Sequence, residues 1–97
     1  MEIKQFAKEI HKNAINHGWW EEPCNIPVAL CMVHSEVSEA LEAYRNHDNE
    51  NFSEELADII IRVFDLAEGL NINIEKAMVE KHTENIKRSY KHGGKAC

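Results

Sequence analysis

Glycine and proline are scarce in this chain, four and two in 97 residues, and no Asn-Gly or Asp-Gly pair occurs anywhere. Without those turn signals a hairpin-built β fold has no corners, and every long segment instead repeats its apolar residues at helical spacing. Long hydrophobic runs are missing too. No stretch approaches the ~18 apolar residues that a membrane span needs. The N-terminal MEIKQFAKEIHKN is charged throughout and lacks a signal-peptide apolar centre. These features predict a soluble, cytoplasmic protein with no membrane partner. The cysteines, Cys24, Cys31 and Cys97, are odd in number and show no CxxC spacing, which argues against a disulfide framework or a zinc knuckle and for free thiols. Glu-x-x-His is absent, so a di-iron carboxylate bundle lacks its ligand pattern. The loop around Asp48 and Glu50 has no glycine at its sixth position, which disfavours an EF-hand.

Charge is abundant, and it is unevenly spread. Residues 1–75 hold 5 Lys/Arg against 15 Asp/Glu, whereas residues 76–97 hold 6 against 2. An acidic body with a basic tail does not suit a nucleic acid polymer, because like charges repel along most of the surface. A metal held by the carboxylates would reverse the local sign and let the tail grip the far end of a smaller polyanion. At 97 residues the chain makes a single domain, 1–97, and a domain this small covers its apolar surface poorly when alone. Oligomerisation is the expected remedy.

The periodicity predicts an all-α bundle of four helices: residues 1–17, a Trp loop over 18–25, then 26–46, 53–68 and 74–90, with a basic Gly-rich tail over 91–97. In the first helix the expected buried stripe is Ile3, Phe6, Ala7, Ile10, Ala14 and Ile15, ending before Gly18. Asn25 reads as the N-cap of the second, whose expected core stripe is Leu30, Val33, Val37, Leu41 and Tyr44. His34 on that stripe reads as a partly buried, satisfied histidine. Small residues Ala29, Ala40 and Ala43 lie to one side, where another helix or a ligand could come close. Ser53 reads as the N-cap of the third helix and Gly69 as its close. The apolar arc of that helix, Leu56, Ile59, Ile60, Val63 and Ala67 widened by Ala57, Ile61, Phe64 and Leu66, exceeds half the circumference. Asn73 caps the fourth.

Two carboxylate pairs stand out: Glu36 with Glu39, and Glu55 with Asp58. At a spacing of three the partners lie ~60° apart around a helix and ~4.5 Å along it, so each pair points into one shared space. One such pair alone is ordinarily a solvated face; two on adjacent helices are a sharper signal, because like charges at this spacing destabilise a bare helix. Four converging carboxylates suit a hard divalent cation, Mg²⁺ or Mn²⁺ in its place. The bland reading pairs Asp58 and Asp65 with Arg62, four residues after one and three before the other. Glu36, Glu39 and Glu55 have no basic residue at i±3 or i±4 and are the stronger ligands.

Trp19 and Trp20 suit a bundle lid or a stacking platform for a base, one indole packing inward while the other faces a ligand. Lys81, Asn85 and Arg88 share one helix face, with Lys91 and Lys95 beyond. Alone they are an exposed basic face; opposite a metal cluster they become a phosphate clamp.

These elements, SEVSEALEAYR, EELADIIIRVFDLAEGL and KHTENIKRSYKHGGK in that order, resemble the MazG-like nucleotide pyrophosphohydrolases of the all-α NTP pyrophosphatase group, over about residues 17–95. The resemblance implies Mg²⁺-dependent hydrolysis of an NTP or dNTP to the monophosphate and pyrophosphate. It implies Glu36, Glu39, Glu55 and Asp58 as metal ligands, Glu36 or Glu39 as candidate base, and Lys81, Asn85, Arg88 and Lys91 at the phosphates and sugar. Trp20 would stack the base. It implies a homodimer or homotetramer with the site in a shared bundle. Where many members open the first element with EExxE, this chain has Ser35. The alternative of another class is a non-catalytic helical interaction or nucleotide-binding module.

Overall fold

The computed structural model describes residues 2–88. They form α1 (Ile3–Asn16), α2 (Ile26–Arg45), α3 (Asn49–Gly69) and α4 (Ile74–Ile86), with no strand among the described residues. The fold is all-α, as the periodicity predicts. α3 is central: α2 runs along one side of it and α1 along another, while α4 touches only α1 and α3. α1 and α2 share no close backbone contact, and the gap between them becomes the principal cleft.

The helix ends follow from local chemistry. Asn25, Asp48 and Asn73 each accept a hydrogen bond from the backbone N–H three residues on, at 3.1 Å, starting α2, α3 and α4. α1 borrows its cap from α4, since Lys4 N–H donates to Glu75 Oε1 at 3.1 Å. Three helices stop in the same way, through a residue in the left-handed region: Gly18 (φ 80) after α1, His47 (φ 58) after α2 and Asn71 (φ 59) after α3. The following N–H groups of Trp19, Asp48 and Ile72 then reach back to Ala14, Ala43 and Ala67 carbonyls at 3.1, 3.0 and 2.8 Å, satisfying orphan acceptors.

Two boundaries differ from the sequence expectation. α3 begins at Asn49, four residues before the predicted start at residue 53, because Asp48 is itself a strong N-cap and takes the place assigned to Ser53. The Ser53 hydroxyl instead donates to the Asn49 carbonyl inside the helix, at 3.2 Å. The added turn sets Phe52 beside Tyr44, ring centroids 6.0 Å apart. At the other end α4 stops at Ile86, short of residue 90, where Lys87 and Arg88 N–H groups turn back three residues to Glu84 and Asn85 carbonyls. Tyr90, Lys91, Lys95 and the tail lie outside the described residues.

Packing departs further. Among the described residues the buried apolar ones are Ala7, Ala14, Ala40, Ala43, Phe64 and Ala67, so all but one carry a single methyl group. α2 turns inward the face bearing Ala29, Val33, Glu36, Ala40 and Ala43, at spacings of 4, 3, 4 and 3. The predicted stripe is otherwise exposed: Leu30 50%, Val37 49%, Leu41 55% and Tyr44 65%. His34 is exposed with it. On α3, Leu56, Ile60 and Ile61 are likewise exposed, as are Phe6 and Ile15 on α1. Small side chains let two helix axes approach closely, which is why the alanine face won the contact with α3. The Cα radius of gyration is 15.8 Å, against about 12 Å for a compact chain of this length.

Gly69 does not close α3; it is the last helical residue. Its lack of a side chain serves packing, since a Cβ there would lie 2.2 Å from Trp20 Cη2.

Candidate metal centre

Glu36 sits midway along the inward face of α2, at 8% exposure the one buried charged residue among those described. Glu39 follows one turn later at the seam's exposed edge, and Glu55 faces both from α3, half-buried. One carboxylate oxygen from each of Glu36, Glu39 and Glu55 lies within 4.8 Å of the others. Three of the four expected ligands are therefore gathered. Asp58, one turn beyond Glu55, is exposed and lines the adjoining cleft with Glu36, outside the tight trio.

The electrostatics of the three are unequal. Arg62 Nε donates to Glu36 Oε1 at 2.8 Å, and that bond holds the Glu36 carboxyl below its usual range against the opposing effect of burial. Glu55 is displaced the other way. Burial pushes its carboxyl up, and the charge of Glu39 adds to that, with smaller contributions from Asp58 and Glu36. Glu55 Oε2 is buried and has no hydrogen-bond partner among the described residues. An orphaned buried carboxylate oxygen is costly, and a cation is the partner that would both satisfy that oxygen and relieve the mutual repulsion. All-oxygen donors of this kind fit Mg²⁺ or Mn²⁺ and not a soft metal.

Arg62 corrects the sequence reading of its own helix. It pairs across to α2 and with neither Asp58 nor Asp65. Asp65 instead accepts the Trp20 indole N–H on both oxygens, at 3.0 and 3.1 Å, and binds His11 Nδ1 at 2.8 Å. The three meet from the Trp loop, α3 and α1, with the His11 ring edge-on to Trp20 at 4.9 Å. Trp20 thus packs inward over Gly69, half-buried, and Trp19 is 68% exposed beside His17. Both indoles line a cleft of about 280 Å³ beside α2. A larger cleft of about 760 Å³ opens between α1 and α2, running from Phe6, Ile10 and Trp19 to Glu36, Asp58 and Arg62.

Lys81 and Asn85 on α4 and Arg88 just beyond its end are exposed, and none of the three lines either cleft. Lys81 pairs with Glu84 at 3.5 Å on its own helix. Within one chain the basic row and the carboxylates are not brought together. Sequence reasoning missed Arg62 as a partner of Glu36, and His11 and Asp65 as the clasp on Trp20. These contacts join residues 26, 54 and 45 apart, beyond any helical spacing.

Residues 28–93, more than half of the chain, match the family described as MazG nucleotide pyrophosphohydrolase domain. Lys91 falls inside that span and Trp20 outside it. No curated protein and no solved structure matches the chain.

Proposed function

The chain belongs to the MazG nucleotide pyrophosphohydrolase family, and on that premise we propose that it hydrolyses an NTP or dNTP to the monophosphate and pyrophosphate with Mg²⁺ or Mn²⁺. The observation that carries this reading is the buried, unpartnered Glu55 Oε2 inside a trio of carboxylates at the edge of a nucleotide-sized cleft. Glu36, Glu39 and Glu55 would hold the cation, with Asp58 beside them. A bound divalent ion supplies charge neutralisation at the phosphates and acidifies water.

The residues divide the remaining work. Glu36 is the buried member of the trio, with little access to bulk water to which a proton could be passed. Glu39, exposed at the cluster's edge, is the better candidate base. Phe6, Ile10 and Trp19 give the larger cleft an apolar wall suited to a base and sugar. Trp20 reaches the smaller cleft, where an indole face can stack.

The exposed stripe of α2, with Leu56 and Ile60 of α3, supports a homodimer or homotetramer, since a second copy of the chain would cover it. Lys81, Asn85 and Arg88, which lie away from both clefts of their own chain, would then serve a cluster in the assembly, and Lys91 would join them at the phosphates. Among the described residues no helix is long and apolar enough to cross a membrane. A nucleotide substrate and exposed free thiols at Cys24 and Cys31 suit the cytoplasm.

The test is a panel of NTPs and dNTPs with and without Mg²⁺, scored for pyrophosphate. Release that requires the metal is expected. No pyrophosphate from any nucleotide would overturn the reading in favour of a binding module, and single phosphate as product would indicate a different phosphohydrolase. Glu39→Gln should abolish turnover with helicity and oligomer size unchanged; retained activity would remove Glu39 from the site.

A further inference from the structure

Among the described residues, Arg62 is the one basic residue lining either cleft. Only its Nε is engaged among the described residues, by Glu36 Oε1. The remaining guanidinium N–H groups have no protein partner there, although such a group carries five donors in all. Its side chain is 40% exposed, whereas that of Glu36 is 11% exposed. So the cation is the movable member of the pair, on a long flexible stem, and the carboxylate is the fixed one. The oxygen it holds belongs to the same trio whose atoms converge within 4.8 Å.

A guanidinium and a divalent ion carry like charge and compete for one carboxylate. Arg62 is best placed to relieve the repulsion within the cluster while no metal is there. We propose that Arg62 is an exchangeable counter-cation: it occupies Glu36 in the metal-free protein, yields that carboxylate to the arriving ion, and turns its guanidinium to the substrate's phosphates. This rests on the metal reading given above. Two properties follow from the exchange. The metal-free hairpin of α2 and α3 keeps a neutralising partner across its seam. Metal and triphosphate also bind with mutual assistance, because a phosphate that captures Arg62 removes the metal's competitor. Arginine suits both stations, since its fork matches carboxylate and phosphate oxygens alike.

The experiment titrates Mn²⁺ into nucleotide-free protein by calorimetry, for wild type, Arg62→Met and Arg62→Gln, with helicity checked by circular dichroism. Gln keeps a neutral donor near Glu36 should the Met variant fail to fold. Severalfold tighter Mn²⁺ binding is expected in the neutral variants. Inorganic tripolyphosphate, titrated at saturating Mg²⁺, should bind them roughly tenfold more weakly, on the scale of one lost charge-assisted contact. Mn²⁺ affinity equal to or below wild type in a folded variant overturns the exchange and leaves Arg62 a strut. Tighter Mn²⁺ with unchanged tripolyphosphate binding overturns the phosphate half. If wild type and both variants all fail to bind Mn²⁺, the metal reading falls and the exchange with it, an outcome distinct from the other two.

Discussion

Along α2 one face carries Ala29, Val33, Glu36, Ala40 and Ala43 against α3, and the other carries Leu30, Val37, Leu41 and Tyr44 into the open. An amphipathic helix on a self-sufficient domain has these the other way round, bulky residues inside and carboxylates outside. The inversion separates two tasks. The inner face is narrow and polar at its centre, so it positions charge; the outer face is broad and apolar, and in the proposed oligomer it would supply the burial that the inner one lacks. Among the described residues the buried apolar set is five alanines and one phenylalanine, short of the core expected to hold a chain of this size.

The sharpest break of this contrast is made on the outer face. Val37→Asp with Leu41→Asp places two charges one turn apart on the exposed stripe and touches no residue of the inner seam. If a second copy covers this stripe as proposed, sedimentation should show an oligomer for wild type and a monomer for the variant, with thermal stability falling steeply. Wild-type assembly in that variant would deny the outer face its role.

On the inner face the matching change is Ala40→Leu, at a position only 5% exposed. Overpacking there should cost about 1–3 kcal/mol in urea unfolding and splay the carboxylates. A neutral outcome would mean that the seam is loose.

A gentler probe is Glu55→Gln in the presence of a chelator. Glu55 takes its proton above the ordinary value of 4.5, so between the two values the folded chain binds more protons than the unfolded one. Stability is therefore lost as pH rises through that window. The variant should melt higher than wild type at neutral pH, and the difference should close as pH falls toward 4.5. Glu36, with its carboxyl held low, contributes in the opposite sense: its stabilisation is present above 4.5 and is lost on acidification below it. A gap independent of pH would remove charge repulsion as the cause.

The smallest effect is expected at the turn joining the two helices. His47 holds φ 58, a conformation that costs an L side chain ~1–2 kcal/mol. His47→Gly should recover about 1 kcal/mol in unfolding free energy without altering metal binding. A loss of stability would show the imidazole to be held by contacts of its own.

Much of this molecule is legible in its sequence. Four helices, the caps at Asn25 and Asn73 and the stop at Gly18 follow from periodicity and local side-chain chemistry, which act within a few residues. The convergence of Glu36, Glu39 and Glu55 was legible because none has a local basic partner to divert it. The orientation of α2 was not. The bulkier, more apolar stripe reads as the core face by hydrophobicity alone, and hydrophobicity does not register that small side chains let the alanine face come closer to α3. The start of α3 turned on a competition between two good caps, Asp48 and Ser53, five residues apart. Arg62 looked committed to Asp58 and Asp65 by spacing, yet Glu36 across the seam offers an oxygen already shielded from water, where a charge-assisted bond is stronger. Gly69 looked like a helix stop, and nothing nearby in the chain announces the indole that rests on it.

Asp48 accepts from Asn51 N–H to open α3 while its own N–H returns to Ala43 to finish α2. A single residue serving both ends leaves no slack between the helices, so the phase of one is geared to the phase of the other. Inserting one amino acid between Arg45 and Asn49 would turn α3 by about 100° relative to its partner, swinging Glu55 away from Glu36 and Glu39. This connection should therefore tolerate changes of side chain far better than changes of length.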